Sequence, residues 1–282
     1  MARFEFPEMK IDRDRMVMFR TPLPNRGEAQ MQAVIKEFAQ RGKVEDLGSR
    51  IVVRDRKSVL EIFQASDSLR WMRETKESEL TVRGVSLPKE DRAIELAQSF
   101  LKEHNLGDKQ AAVSSVSYNY LSRMNGKGEK DPDELPAALN VNFGFSLDSL
   151  PVLGPGAKMQ VTFGNRASVT QAYKFWRQPK VDREMAILKP ENAAEILQRD
   201  PAYSDLSDNE SHVKFVSVRL GYYALPPREV QNYLMPVYAF DGVVSTPFLK
   251  RYAFTKYVAA IETTVDEVKR PGAILRTPVA VF

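Results

Sequence analysis

The sequence predicts an α+β protein in which about three helices pack on antiparallel sheets, in repeated units of a helix followed by strands. Two observations predict this fold class. Three segments place apolar residues at the 3.6-residue period of an amphipathic helix, and the stretches between them alternate apolar and polar residues with the period of a strand. The strands are grouped after single helices and joined by short connections, which favours antiparallel pairing, because parallel pairs need long crossovers.

The helices are predicted over residues 27–41, 89–105 and 191–199. Each carries its apolar residues along one face. The second and third begin beside a proline, which is favoured in the first turn because its missing N–H would have no helical partner there. Their openings, LPKE at 87–90 and LKPE at 188–191, resemble each other and suggest a degenerate internal duplication.

The clearest strand is predicted over residues 138–147, where alternate positions are apolar and the others include Asn140 and Asn142. Residues 158–163 repeat the pattern, and Gly164-Asn165 is expected to supply a hairpin turn that tolerates positive φ and leads to a partner strand. The residues expected to share one buried face are Leu139, Val141, Phe143, Phe145, Met159, Val161 and Phe163. Further strands are predicted at 16–21, 50–54, 58–64, 69–74, 113–121, 167–176, 213–223, 233–240 and 252–260.

The 282 residues suffice for one large domain or two ordinary ones. We expect an N-terminal helix-plus-sheet domain over residues 1–83 and a larger antiparallel-sheet domain with two helices over 84–282, divided within 75–85. Polar loops are expected at 125–133 and 199–211. The apolar end of the last 21 residues, 262–282, predicts a tail that docks on the rest of the protein.

The composition argues against several classes of function. The chain has no cysteine and two histidines, His104 and His212, so it lacks the usual ligands of a zinc or iron–sulfur centre. The glycine cluster at 154–156 precedes a predicted strand instead of a helix, so we expect a turn there and not a phosphate loop. The sequence therefore predicts no metal site, no cofactor and no catalytic residue.

Charge and hydropathy narrow the partners and the location. The 41 basic and 37 acidic residues are mixed along the chain, which argues against a nucleic-acid partner. No apolar run approaches the ~18–20 residues of a membrane helix, so no membrane span is expected. Residues 1–20 alternate charged and apolar groups, unlike a signal peptide. The expected location is the cell envelope or the exterior if a leader was removed, and the cytoplasm if Met1 is the native start.

Aromatic residues are concentrated in the predicted strands after residue 110. A sheet core is the more common explanation, because strands favour aromatic residues. The alternative is a cavity lined by rings, in which tyrosine hydroxyls and an arginine hold a ligand. The candidate ligand-binding residues are Trp176, Arg177, Arg219, Tyr222, Tyr223 and Tyr238.

A family resemblance is carried by three stretches of the chain. They are the helix opening at 87–97, the segment FGFSLDSLPVLGPGAK at 143–158 with the strand at 159–163, and YYALPPREVQNYLMPVYAF at 222–240. Together they resemble PepSY-type domains, in particular the tandem PepSY-like extracytoplasmic proteins of bacteria. The resemblance is architectural and covers residues 87–260.

This resemblance implies a non-enzymatic module that binds, inhibits or regulates a protein partner. Exposed sheet surfaces or edges could pair with a strand of that partner. The residues leave a second class open, in which an aromatic-lined cavity holds an apolar small molecule or serves a cofactor-free biosynthetic enzyme.

Overall fold

The computed structural model describes residues 3–24, 27–38, 42–73, 85–121, 134–199, 212–246 and 251–261. Within these residues the chain forms three α-helices and fifteen β-strands, so the predicted α+β class is confirmed. The helices are α1 (Glu28–Phe38), α2 (Glu90–Glu103) and α3 (Pro190–Gln198). The strands are β1 (Arg3–Glu5), β2 (Arg15–Arg20), β3 (Lys43–Asp46), β4 (Arg50–Arg54), β5 (Ser58–Phe63), β6 (Ser68–Arg73), β7 (Ala111–Leu121), β8 (Leu135–Leu147), β9 (Leu150–Leu153), β10 (Lys158–Phe163), β11 (Val169–Phe175), β12 (Lys180–Ala186), β13 (His212–Tyr223), β14 (Tyr233–Ser245) and β15 (Tyr252–Ala259).

The strands form one continuous hydrogen-bonded path in the order β12-β2-β14-β13-β9-β8-β10-β11-β6-β5-β4-β3. Three more strands attach beside it, β1 to β13, β15 to β14 and β7 to β8. The pairing is antiparallel, as predicted, except that β1 and β9 each run parallel to β13. These two strands have three and four residues, too few to show the alternating pattern by which a strand is predicted.

The helices pack on the sheet through small and apolar side chains. α2 buries Ala93, Ala97 and Leu101, and α3 buries Ala193, Ala194 and Leu197. Alanines on the packed face let the helix axis approach the strands closely, because they add little bulk between the two layers. α1, α2 and α3 contact β5, β8 and β15, respectively.

The second and third helices lead into the same arrangement of strands. α2 is followed by the antiparallel neighbours β7, β8 and β10, and α3 by β13, β14 and β15. The first long strand of each set has a β-bulge near its start, between Val113 and Ser115 in β7 and between Phe215 and Ser217 in β13. These features support a duplication, which stays a prediction.

Segment 74–84, which contains most of the predicted domain boundary, lies outside the described residues, as do most of the two predicted polar loops and the tail at 262–282. Strands from both sides of the boundary pair with each other, since β6 pairs with β11 and β2 with β14. The division into two domains stays a prediction. No helix in the described part of the chain is long and apolar enough to cross a membrane.

The hairpin between β10 and β11 forms where the sequence predicts it, and its positive φ values fall beyond Gly164. Gly164 has a negative φ of −103°, and the positive values fall on Arg166 (55°) and Ala167 (54°). The reason is a single 3-10 turn over Asn165–Ala167, closed by a hydrogen bond from the Ser168 N–H to the Asn165 carbonyl (3.2 Å), inside a connection where the Gly164 N–H donates to the Ser168 carbonyl (2.8 Å). The two residues with left-handed backbone, Arg166 and Ala167, therefore lie within the 3-10 turn and not at Gly164.

The seven residues predicted to share one buried face do so. Each is 5% exposed or less, and all belong to the main core together with the apolar residues of α2 and α3.

Replacing Phe143 by alanine should lower the free energy of unfolding by about 3–5 kcal/mol, because a buried phenylalanine leaves a cavity that the sheet cannot close. Urea denaturation measures the change. Val181→Ala is the control, since Val181 is 73% exposed on β12 and should change stability by less than about 0.5 kcal/mol. Equal effects of the two substitutions would contradict the assigned faces.

Candidate functional site

Tyr222 and Tyr238 both belong to the main core. Their strands β13 and β14 are paired, and both side chains are fully buried. The Tyr222 ring meets Phe19 edge to face at 5.2 Å, and its hydroxyl has no hydrogen-bond partner among the described residues. The Tyr238 hydroxyl donates a hydrogen bond to the Leu188 carbonyl at 2.6 Å. Burial raises the pKa of Tyr222, and raises that of Tyr238 to about 12.

Tyr223 belongs to a second cluster on the opposite face of β13. Its ring lies 4.7 Å from that of Tyr257, and the cluster includes Met18, Leu225 and Met235. Burial, together with the nearby Tyr257 and Glu229, raises the pKa of Tyr223 to about 12. Successive residues of a strand point to opposite faces, so Tyr222 and Tyr223 serve different clusters.

Trp176 directly follows β11 and lies in the main core. Its ring stacks on Phe145 at 4.1 Å between centroids, with 11° between the planes. Its backbone N–H donates to the Ser68 hydroxyl, which attaches the end of β11 to β6. The indole N–H has no partner among the described residues.

Arg177 holds the connection between β13 and β14 instead of facing an open cavity. It is 4% exposed, and its guanidinium donates to the carbonyls of Leu225 (2.8 Å), Pro226 (2.9 Å) and Glu229 (2.5 Å). Burial lowers the pKa of Arg177 to about 10, although the nearby Glu229 opposes that shift. Gly156 makes the approach possible, because a Cβ there would lie 1.9 Å from the Leu225 carbonyl oxygen.

Arg219 lies on the outer surface of β13 and forms a bidentate pair with Asp241. Nε and Nη2 lie 3.0 and 3.1 Å from the two carboxylate oxygens. The hydroxyls of Ser217 and Thr255 also donate to Asp241, each at 2.7 Å. Burial alone would raise the pKa of Asp241, but the hydrogen bonds from Arg219, Ser217 and Thr255 outweigh it and hold the pKa below its ordinary value.

The structure therefore places Trp176, Tyr222 and Tyr238 in the main core and distributes the other three predicted residues among the second cluster (Tyr223), the β13–β14 connection (Arg177) and the surface (Arg219). Two clefts border described residues, one of about 290 Å³ beside β6, β7, β10 and β11, and one of about 350 Å³ beside β1 and β13. Neither has a phenylalanine, tyrosine or tryptophan among its described lining residues. A ligand-binding role of the six residues stays a prediction.

A polar face lies opposite the helix-packed side of the central strands. We define it by eight uncharged residues on β7, β8, β10 and β11. They are Ser115, Ser117, Asn119, Asn140, Asn142, Gln160, Thr162 and Gln171. The alternation of the buried strand residues requires these side chains to point away from the core.

Hydrogen bonds join most of this polar face into one network. The Asn140 amide donates to Asn119 (3.0 Å) and accepts from the Thr162 hydroxyl (2.8 Å). The Gln160 amide donates to Asn142 (2.6 Å), which in turn donates to Ser117 (3.1 Å). Asn140 and Thr162 are buried, so these bonds fix side chains that would otherwise lose water without a partner.

The edge of the polar face is β7, which pairs only with β8 among the described strands. Its eleven residues, AAVSSVSYNYL, include no charged side chain. Tyr120 is 54% exposed, and Leu121 beside it is also exposed. Among the described strands the second side of β7 has no partner, so its backbone N–H and C=O groups there can pair with another strand.

The polar face and the β7 edge were not among the candidate site residues from the sequence. One signal was present, since Asn140 and Asn142 occupy the polar positions of a strongly alternating strand. The absence of charged residues over 111–121 was the signal for the edge, but this signal alone does not distinguish an edge strand from a strand inside a sheet. Among the described residues, no group of three or more histidine, aspartate or glutamate side chains is placed to hold a metal ion.

No family model and no curated protein matches this chain. An uncharacterized protein from Eubacterium rectale ATCC 33656 is similar in structure, with a TM-score of 0.50, 10% identity, and coverage of 87% of this chain and 84% of that one. YycH from Bacillus subtilis has a TM-score of 0.40, 13% identity, and coverage of 84% of this chain and 53% of that one. The first likeness supports the fold alone. The PepSY-type resemblance stays a prediction.

Replacing Arg177 by methionine should lower the free energy of unfolding by on the order of 3 kcal/mol, because it leaves three partly buried carbonyls without their donor. Chemical denaturation measures the loss. The control is Arg228→Met in the same connection, where the exposed guanidinium lies 5.9 Å above the Phe63 ring and should contribute about 1 kcal/mol or less. A loss no larger than that of the control would show that Arg177 does not hold the connection.

The Asp241 network should make stability fall at acid pH. The pKa of Asp241 is lower in the folded protein than its ordinary 3.8, so the unfolded chain binds the proton first and stability falls as pH drops through that range. Denaturation curves from pH 6 downward, with Asp241→Asn as the comparison, measure the effect, and the variant should lose less stability. Parallel curves for the two proteins would mean that Asp241 titrates normally.

Proposed function

We propose that this protein is a non-enzymatic binding module that recognises an extended segment of a partner protein by adding it as a strand to β7. The observation that carries the proposal is the open, eleven-residue, uncharged edge of that strand. In strand addition, backbone hydrogen bonds provide affinity, and alternate side chains provide specificity.

The other terminal strands carry the charges that normally discourage strand addition. β12 (KVDREMA) has four charged residues in seven, β3 (KVED) has three in four, and β1 (RFE) has two in three. β15 carries Lys256, which is buried. β7 carries no charged residue, unlike β1, β3, β12 and β15, and this difference favours it as the edge that a partner uses.

The side chains beside β7 offer two different surfaces to an added strand. On the helix side, the half-buried Val116 and Tyr118 present an apolar contact, with the Tyr118 hydroxyl 3.1 Å from the Glu90 carboxylate. On the other side, Ser115, Ser117 and Asn119 present hydroxyl and amide groups. A segment that alternates apolar and uncharged polar residues would match both surfaces.

Tyr120→Lys should weaken binding of such a segment at least tenfold, because a partner strand would have to desolvate the new charge at the edge. The probe is a displayed library of eleven-residue peptides, selected on the full chain, with affinities of the selected peptides measured by calorimetry. Val181→Lys on β12 is the matched control, since it adds the same charge to an exposed position of an already charged edge.

Hydrogen exchange of the complex gives a second readout. Backbone amides within 111–121 should gain protection when the selected peptide binds. Equal affinity of the two lysine variants, or protection confined to other strands, would exclude strand addition at β7.

A further inference from the structure

The cleft of about 290 Å³ at one end of the polar face has the chemistry of a small-molecule site. We call it the polar cleft and define it by its described lining. That lining consists of Met72, Arg73, Val85, Asn119, Ala137, Ala138, Thr162, Gly164, Asn165, Thr170 and Gln171. We infer that the polar cleft binds an uncharged saccharide, a ligand class separate from the proposed peptide partner.

The polar groups of the cleft are amides and hydroxyls. Asn119, Asn165 and Gln171 each carry an amide, which can donate and accept at once, and Thr162 and Thr170 each carry a hydroxyl. Sugar hydroxyls have the same dual character, so each can accept from an amide N–H and donate to a neighbouring oxygen. An ionic ligand would lose its hydration here and gain few charged partners.

The charges around the cleft disfavour a cationic ligand in particular. Its described lining has no acidic residue, and its one charged side chain is the exposed Arg73 at the rim. A cationic ligand would therefore meet no counter-charge in that lining and one like charge.

The cleft also offers apolar surface and a fixed floor. Met72, Val85 and Ala138 can contact the C–H faces of a sugar ring, which are the apolar part of an otherwise polar molecule. Thr162 is buried and held by Asn140, and the Asn165 side-chain oxygen accepts a hydrogen bond from the Ser86 N–H at 3.0 Å. A floor fixed in advance lowers the entropic cost of binding.

The size favours a short ligand. Small-molecule pockets begin at about 300 Å³, so a cleft of this volume fits one or two sugar units and not a long chain.

Calorimetric titration of the full chain with N-acetylglucosamine, maltose and cellobiose tests the inference, with glucosamine as the cationic comparison and glucuronate as the anionic one. At least one neutral sugar should bind more tightly than glucosamine and glucuronate. Gln171→Leu should weaken that binding at least tenfold, because it removes an amide from the lining while keeping a similar volume. Gln32→Leu, at an exposed position of α1, is the control and should leave the affinity unchanged.

Three outcomes would overturn the inference. They are the absence of binding by any neutral sugar, a preference for the charged sugars, and unchanged affinity in Gln171→Leu. Tyr120→Lys separates this test from that of the peptide site, because it changes the β7 edge outside the cleft lining. If Tyr120→Lys loses peptide binding and keeps sugar binding, the result supports both sites. If the wild-type chain binds no neutral sugar, the peptide proposal is unaffected, and if it selects no peptide, the sugar proposal is unaffected.

Discussion

The short strand β9 holds the two halves of the sheet together. It pairs with β8 through a tight hairpin at Asp148 and Ser149, and it runs parallel to the end of β13. The contact with β13 demands a bare backbone, since a Cβ on Gly221 would lie 2.5 Å from the Pro151 carbonyl oxygen. Gly154, with a φ of 86°, turns the chain away directly after β9, and a Cβ there would lie 2.6 Å from the Ala224 carbonyl oxygen. The position of the strands after α3 relative to those after α2 depends on this joint.

The connection that follows β13 is fixed at the same place. Arg177 donates to its carbonyls, and the Gln231 side chain bonds to the backbone of Tyr223, Leu225 and Tyr233 at 2.8–2.9 Å. Both side chains are buried, and they supply hydrogen bonds to backbone groups of the connection that are shielded from water. From the sequence, an arginine beside aromatic strands is easily interpreted as a ligand contact. The sequence shows the residue type, but it does not show that the β13–β14 connection, about 50 residues away, brings its backbone carbonyls to the Arg177 guanidinium.

The elements that sequence could predict are those whose pattern is local. β8 and β10 alternate over six or more residues, and α2 repeats its apolar face for almost four turns, so their own residues specify them. β1, β9 and β3 have three or four residues each, too few for a period, and two of them pair with a strand far away in the chain. The candidate site was predictable to the same extent, in its local pattern and not in its long-range pairing. The polar positions of β8 were visible, but their neighbours on β10 and β7 depend on a register that the sequence does not display.

The polar face and the β7 edge also constrain each other. The hydroxyls of Ser115 and Ser117 each accept from the Asn142 amide, so the residues that leave β7 uncharged also join it to β8. A lysine or glutamate at either position would protect the edge from other strands but would break this network. A bulge in β7 at Ser114 and one in β8 at Ala137 interrupt the regular pairing of the two strands and limit the length over which an unselected strand could add. The edge thus combines open backbone groups with a restricted geometry, which is the combination that selective strand addition requires and that a charged edge would prevent.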